Sequence, residues 1–384
     1  MTRVGGGWIE RAETQAVCRM LTDAGYHALF VGGCVRNALL DHPVSDIDIS
    51  TEARPERVVA LAEAAGLKPV PTGIEHGTIT VVADGLPHEV TTFRRDVETF
   101  GRRAVVAFTD RLEEDARRRD FTMNALYARP DGTVIDPLDQ GRADLAARRV
   151  RFIDDPRDRI AEDFLRILRF FRFHAWFGDP AAGLDAEGLA ACAELSGGLE
   201  GLSRERIGAE MTKLLSAPDP APAVAAMAQS GCLIHAVHGA DAKALPVLVH
   251  LEQEAGLAPD PIRRLAVLGG QDVARRLRLS RQDARRLQVL RDGIGSGADA
   301  PELAYRHGAD MALDILLLRS ALMGVPLPDG VRDALDLGAG ARFPVTARDL
   351  MPAYQGAALG ERLAELETRW IASGFRLTRQ ELLS

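Results

Sequence analysis

A chain of 384 residues exceeds what one hydrophobic core serves, so two to four folded units are expected, and 46% hydrophobic content is ample for their cores. No apolar run nears the roughly 18 residues that span a bilayer, and Met1-Thr2-Arg3-Val4-Gly5 opens no secretory apolar segment, so a soluble cytoplasmic protein is expected. Cys18, Cys34, Cys192 and Cys232 lack metal-site spacing and read as buried reduced thiols, while the net charge of −8 still leaves 47 basic residues from which a local positive face can be built.

Helical periodicity over Glu13–Ala24 precedes a first strand around Phe30. That strand runs into Gly32-Gly33, followed by a short helix predicted over Val35–Leu40, and glycine amides at a helix start can approach phosphate oxygens closely. Asp46 and Asp48 follow in an alternating segment around Ile47, where side chains i and i+2 share one face. Two carboxylates on one face suit hard cations such as Mg²⁺, and a two-ion site of this kind clamps the attacking and leaving oxygens of a nucleotidyl transfer. Further apolar alternation at Ile79–Val82 and Val90–Phe93, with a helix over Arg57–Ala65, predicts a small mixed sheet with helices packed on it. Glu89, on the last of these strands, is either a third carboxylate of the metal site or a solvent-facing glutamate. His76 and His88 are lone residues that read as structural.

An acidic helix start leads into Arg117-Arg118-Arg119-Asp120-Phe121-Thr122-Met123-Asn124. Arg119, Asp120 and Asn124 offer a partner for triphosphate, an acceptor for a ribose hydroxyl and an amide that both donates and accepts. Asp131-Gly132 predicts a hairpin turn between Leu126–Arg129 and Thr133–Asp136. Beyond residue 150 strand signals stop. Glu162–Phe173 reads as one helix with Leu165, Leu168 and Phe171 on its apolar side and Asp163 and Arg166, three apart, on another. Adenine and cytosine present an exocyclic amine beside an unprotonated ring nitrogen, so a carboxylate and a guanidinium together fit both and reject guanine and uracil. The run Arg263-Arg264, Arg275, Arg276, Arg278, Arg281, Arg285 and Arg286 could equally be a basic patch for a nucleic-acid backbone or solvated helix faces, and only the RNA substrate implied by the family resemblance given next turns the expectation to a face for RNA. Gly356–Gly360 reads as a tight turn before a helix over Glu361–Ala372, and Thr378-x-x-Glu381 as a capping box.

With its motifs in order, Gly32-Gly33-x-Val35-Arg36, Asp46-x-Asp48, Arg118-Arg119-Asp120-Phe121-Thr122-x-Asn124-Ala125, Glu162-Asp163-x-x-Arg166 and Ser203-Arg204-Glu205-Arg206-Ile207-x-x-Glu210, the chain resembles the class II nucleotidyltransferases of the DNA polymerase β superfamily: bacterial tRNA CCA-adding enzymes and poly(A) polymerases. The resemblance runs from about Tyr26 to about Leu215. It implies an α+β protein, with an N-terminal nucleotidyltransferase head over 1–150 (small mixed sheet, packed helices), an all-α neck over 151–216, and a helical body and tail over 217–384 that hold tRNA. It implies Asp46 and Asp48 as catalytic ligands of two Mg²⁺ ions (or Mn²⁺), and a nucleotide site of Gly32, Gly33, Arg36, Arg119, Asp120, Asn124, Glu162, Asp163, Arg166 and Arg169, in which Asp163 and Arg166 select the base and Glu162 supports Arg166. CTP and ATP are the implied substrates and the tRNA 3′ end the implied partner, with no obligate protein partner. Two positions depart from relatives: Asn37 stands where many have Asp, and Phe100-Gly101-Arg102 where many read Asp-Gly-Arg. CCA addition, poly(A) synthesis, partial CC or A addition and a catalytically silent RNA binder remain the alternatives, in that order; the intact carboxylates and Arg166 disfavour the last.

Overall fold

The computed structural model describes residues 2–100 and 103–384, and by internal contacts the chain forms two compact units, Met1–Ala236 and Val237–Ser384. Gly101 and Arg102 of the departing loop motif lie outside the described residues.

The first unit opens with α1 (Gly7–Glu10) and α2 (Ala12–Thr22), then alternates β1 (Leu29–Val31), α3 (Gly33–Leu39), β2 (Asp48–Thr51), α4 (Pro55–Ala64), β3 (Lys68–Gly73), β4 (Thr78–Ala83) and β5 (Leu86–Thr92). β6 (Arg94–Phe100) and β7 (Arg103–Phe108) form a separate antiparallel hairpin. After α5 (Leu112–Arg117), β8 (Tyr127–Ala128) and β9 (Val134–Ile135) turn at Asp131-Gly132, where Gly132 has φ +84°. Strand order in the seven-stranded sheet is β3-β4-β5-β2-β1-β8-β9, and β2–β5 is its parallel pair among antiparallel neighbours. The sheet is therefore mixed, as expected. Along β5, His88, Val90 and Thr92 are buried while Glu89 is exposed, so one face packs on helices and the other looks outward. His88 is fully buried and shares a 3.0 Å hydrogen bond with the Thr14 hydroxyl of α2.

After α6 (Gly141–Ala146) every element of this unit is helical: α7 (Pro156–Glu162), α8 (Leu165–Phe177), α9 (Ala186–Glu194), α10 (Arg204–Leu215), α11 (Ala221–Gln229) and α12 (Cys232–Ala236). Phe170 and Phe173 of α8 join Phe121 and Phe152 in one aromatic cluster, with centroids 4.9 Å (Phe121–Phe152), 5.0 Å (Phe121–Phe173) and 5.3 Å (Phe152–Phe170) apart. That cluster pins α8 to the segment after α5, and so decides which α8 side chains face the strand–turn–helix of β1 and α3. The expected single helix over Glu162–Phe173 is corrected here. Asp163 is extended, with φ −156° and ψ 105°, and separates α7 from α8; its carboxylate accepts from the Leu165 N–H at 3.2 Å, which favours a new start over continuation.

The second unit holds α13 (Leu245–Glu254), α14 (Pro261–Leu268), α15 (Val273–Arg276), α16 (Arg281–Gly295), α17 (Ala300–His307), α18 (Ala309–Met323), α19 (Val331–Gly340), α20 (Ala347–Leu350), α21 (Ala357–Ala372) and α22 (Arg379–Leu383). Arg263 and Arg264 are 4% and 1% exposed: Arg263 pairs with Glu252 and Asp314 at 2.7 Å, and Arg264 with Glu252 at 2.8 Å. These two arginines do not face RNA, because Pro261 starts α14 with its arginine face turned onto carboxylates of α13 and α18. Arg286 joins them, paired with Asp260 and Asp314. Arg275, Arg278, Arg281 and Arg285 are exposed. The Thr378–Glu381 capping box forms, next to a small core of Trp370, Leu366 and Leu382. All four cysteines are buried and free, and burial pushes the Cys18 thiol up to about 12 and Cys34 up to about 11.

Candidate functional site

β1 delivers the chain to Gly32, whose φ of +69° and ψ of −121° suit glycine and turn it directly into α3. A Cβ here would stand 3.4 Å from Arg119 Nη1 and 3.8 Å from the Asn124 carbonyl oxygen, ordinary contact distances, so it is the backbone conformation and not lack of space that calls for glycine. The Gly32 N–H donates to the Leu126 carbonyl at 3.2 Å, which corrects the expectation that both glycine amides are turned toward phosphate.

Around this turn lies a cavity of about 490 Å³. It brings together Gly32, Gly33, Arg36, Asp48, Arg119, Asp120, Asn124, Asp163, Arg166 and Arg169, drawn from α3, β2, the segment after α5 and the α7–α8 junction. Leu165, Arg172, Phe173 and Arg206 complete it. Six arginines against three aspartates give the walls a clear positive excess, which matches a polyanion such as a nucleoside triphosphate. Glu162 and Asp46 stand outside the lining.

Asp120 is the hub on one side. Its Oδ1 accepts from the Phe121 N–H (2.8 Å) and Asn124 Nδ2 (2.9 Å), and its Oδ2 from the Arg169 guanidinium, with Nε at 2.7 Å. Burial acts to raise its pKa, but Arg169 with these hydrogen bonds overrides it and holds the carboxyl down at about 2. Asn124 Oδ1 in turn accepts from Arg36 Nη1 at 2.6 Å. Arg36 is buried, with its guanidinium carbon 4.0 Å from the centre of Phe177, and burial lowers its pKa to about 10, still a cation at neutral pH. Asn37 fills two needs at once: its oxygen accepts from Arg36 Nη2 at 2.8 Å and its amide donates to the Pro43 carbonyl at 3.0 Å. A carboxylate at 37 could do only the first.

On the other side Asp115, fully buried, ties down the arginine run. It accepts from Arg118 Nε (2.8 Å), Arg119 Nη2 (3.3 Å) and the Tyr127 hydroxyl (2.7 Å). Burial would raise it, yet Arg119, Arg118 and the Tyr127 hydroxyl bring it to about 2. Sequence reasoning assigned Asp115 no role, because nothing in a run of three acids marks which one turns inward. Asp115→Ala strands two guanidiniums without their buried anion and is expected to lower stability by about 3–5 kcal/mol, with a raised KM for nucleotide; urea midpoints measure the first and steady-state kinetics the second. Its share of stability is present above the usual carboxylate pKa near 4 and is lost as pH falls toward about 2.

Asp163 and Arg166 both line the cavity but do not pair side chain to side chain. Asp163 Oδ2 accepts from Arg206 Nη2 at 2.6 Å. Arg166 is tied to Glu162, to the Arg159 carbonyl at 2.6 Å and to the Arg118 carbonyl at 3.3 Å. Arg172 is bound by buried Glu210 at 2.6 Å and lies 4.4 Å from the Phe173 centre. Arg206 and Glu210, one turn apart on α10, thus orient Asp163 and Arg172. Arg172, Phe173 and Arg206 were not among the expected site residues; Phe173 in particular is indistinguishable by periodicity from its core neighbours.

Asp48 opens β2 directly opposite Glu89 in the parallel pairing, which puts their side chains on one face, while Asp46 lies in the exposed loop just before the strand. Burial, then the charge of Glu89, push Asp48 up to about 6, with Asp46 adding to the rise and Arg119 opposing it. Mutually repelling carboxylate oxygens at the mouth of a phosphate-sized cavity are the donor set a hard divalent cation takes. Among the described residues no group of three or more His, Cys, Asp or Glu is arranged to hold a metal by itself.

Residues 28–151 match the family model described as Poly A polymerase head domain, and residues 184–242 match Probable RNA and SrmB- binding site of polymerase A. The chain is 31% identical to CCA tRNA nucleotidyltransferase 1, mitochondrial, of Mus musculus, across 96% of this chain and 88% of the relative. It is 42% identical to the CCA-adding enzyme of Bacillus cytotoxicus over 53% of this chain and 50% of that one. Among solved structures, the Bacillus stearothermophilus CCA-adding enzyme in complex with CTP superposes with a TM-score of 0.72 at 28% identity, covering 94% of this chain and 92% of that one. The Thermotoga maritima CCA-adding enzyme complexed with tRNA shares the fold at a TM-score of 0.70 and 19% identity, covering 100% and 98%.

Proposed function

The chain belongs to the family of CCA-adding tRNA nucleotidyltransferases, and we propose that it adds C and A from CTP and ATP to the 3′ end of tRNA, without a nucleic-acid template, in the cavity built on Gly32 and Asp48. The observation that carries this reading is the meeting, in one cavity, of a cationic wall suited to a triphosphate with an Asp163–Arg166 pair suited to the edge shared by adenine and cytosine.

Arg119, fixed by Asp115 and the Tyr127 hydroxyl, takes the triphosphate, with Arg36, Arg169 and Arg172 adding positive charge. Gly32 and Gly33 keep the turn beside the phosphates free of side chains, the Gly32 N–H itself being taken by the Leu126 carbonyl. Asp120 and Asn124, with Arg169, bind the ribose. Asp163 accepts from the exocyclic amine and Arg166, supported by Glu162, donates to the ring nitrogen. The 3′-hydroxyl of the RNA attacks the α-phosphorus, the α–β phosphoanhydride bond breaks, and pyrophosphate leaves carrying the displaced electron pair. Asp46 and Asp48, with Glu89 adjacent, would hold two Mg²⁺ ions (or Mn²⁺), which would supply Lewis-acid activation of the hydroxyl and neutralisation of the leaving phosphate. Residues 1–150 form the catalytic head, 151–216 the neck that selects the base, and 217–384 the body and tail that hold tRNA, for which exposed Arg275, Arg278, Arg281 and Arg285 offer a basic face. Among the described residues no helix is long and apolar enough to cross a membrane.

Incubation with Mg²⁺ and, in turn, tRNA lacking its CCA end, tRNA ending in CC and an unrelated RNA, with single labelled nucleotides and then CTP plus ATP, tests this. Addition of three nucleotides that then stops, on tRNA alone, is the expected result. Long A tails on any RNA indicate poly(A) synthesis, and no incorporation indicates an RNA binder.

A further inference from the structure

Arg159 belongs to none of the motifs above and does not line the cavity, yet it is the side chain on which the base-selecting arginine is mounted. It is 8% exposed and belongs to the last turn of α7. Its Nη1 donates to Glu162 Oε1 at 2.7 Å and its Nη2 to the Arg119 carbonyl at 2.7 Å. The second oxygen of that same Glu162 carboxylate is paired with Arg166, and the Arg159 carbonyl, near the end of α7, accepts from Arg166 Nη1 at 2.6 Å.

One residue therefore holds Arg166 twice: through Glu162 by its side chain and directly by its backbone. A guanidinium has five N–H donors in a rigid fork. With Nη1 committed to Glu162 and the Arg159 carbonyl, and Nη2 reaching the Arg118 carbonyl, the orientation of the plane that meets a base is set from behind. The Glu162 carboxylate, shared between two arginines, can hold Arg166 in that plane only if Arg159 fixes its other oxygen. The tie from Arg159 to the Arg119 carbonyl also fixes the selector relative to the residue that takes the triphosphate, so base and phosphate are read from one anchored frame.

We propose that Arg159 is a specificity-positioning residue for nucleotide addition: it orients Arg166 through Glu162 and registers it against the Arg119 backbone. The inference rests on the reading of Asp163 and Arg166 as base selectors. Arg159 touches no substrate, and its loss lets the guanidinium of Arg166 tilt, so the bonds that favour cytosine over uracil are lost before the triphosphate contacts are.

The test measures kcat/KM for CTP and for UTP on tRNA lacking its CCA end, with the full chain carrying Arg159→Ala, Arg159→Lys, Glu162→Gln, the Arg159→Ala/Glu162→Gln pair, and Arg166→Ala as reference. Arg159→Ala is expected to lower the CTP-to-UTP preference by about tenfold or more, with KM for CTP changed by less than about threefold. Arg159→Lys is expected to restore folding but only part of the preference, because one ammonium cannot bridge Glu162 and the Arg119 carbonyl from two divergent nitrogens. The double variant is expected to lose no more preference than the single variants, as two residues acting in one relay should. A uniform fall in kcat for both nucleotides, with the preference intact, overturns the proposal and leaves Arg159 a purely structural residue. An altered preference in Arg166→Ala with none in either Arg159 variant overturns the proposal alone; an unchanged preference in Arg166→Ala overturns the selector reading as well. Should Arg159→Ala not fold, the same comparison is decided by Arg159→Lys and Glu162→Gln.

Discussion

Asp48→Asn is expected to abolish nucleotide incorporation and, in metal-free buffer at neutral pH, to raise the melting temperature. The two effects have one cause. In the folded protein burial and the neighbouring Glu89 carboxylate lift the Asp48 pKa to about 6, so at pH 7 the site holds a charge it disfavours. A carboxyl whose pKa is higher folded than unfolded contributes stability that is full below the unfolded value near 4 and lost as pH rises through about 6. Removing the charge recovers on the order of 2–3 kcal/mol at pH 7, or several degrees of melting temperature at roughly 2–4 °C per kcal/mol for a unit of this size. The wild-type chain in chelator should lose stability between pH 4 and pH 6 relative to the variant, and divalent metal should restore it in the wild type only. Incorporation, which depends on that same charge, should fall by at least about a thousandfold, several kcal/mol of transition-state stabilisation. Retained turnover, or a variant less stable than wild type in chelator, would sink the assignment of Asp48.

Replacing Asp163 or Arg166 by Ala should collapse base discrimination. Uracil presents a carbonyl where cytosine has its amine and an N–H where cytosine has a bare nitrogen, so against an intact pair both contacts are wrong at once. Sites that hydrogen-bond a polar group reject an analogue lacking it by as much as 10⁴–10⁵; with two mismatched contacts, loss of either partner should narrow the CTP-over-UTP ratio by about 10²-fold or more. Asp163→Asn separates recognition from scaffolding, since an amide can turn its oxygen or its nitrogen to the base and should admit UTP while still accepting from Arg206 in one of its two orientations. Specificity constants for all four nucleotides provide the check. Equal constants for UTP in wild type and in all three variants would refute the pairing.

The contrast between Asn37 and Asp115 shows where a sequence stops being informative. Asn37 was noticed as a departure, and what it does, bridging Arg36 to the Pro43 carbonyl three residues before Asp46, emerges only when the loop is folded back on α3. Asp115 was passed over among Glu113 and Glu114, although it is the fully buried acid that holds two arginines. Arg263 and Arg264 erred the other way: charge in a run suggested a surface, and carboxylates on two other helices make it an interior.

What the chain determines locally was legible along it: the strands β1, β2, β4, β5, β8 and β9 (though not β3 or the β6–β7 hairpin), glycine at a turn needing positive φ, the Asp131-Gly132 hairpin, the Thr378 cap, and residue types that suit phosphate, base edge and cation. These are properties of segments a few residues long, set by backbone sterics and side-chain direction. Tertiary structure decided the partners. Glu89 stands opposite Asp48 because β2 and β5 pair in parallel, Arg206 reaches Asp163 because α10 packs on α8, and α8 faces the glycine turn because four phenylalanines lock it there. Such pairings join residues 40 or more positions apart, and their geometry is set by packing and desolvation, which a linear pattern does not contain.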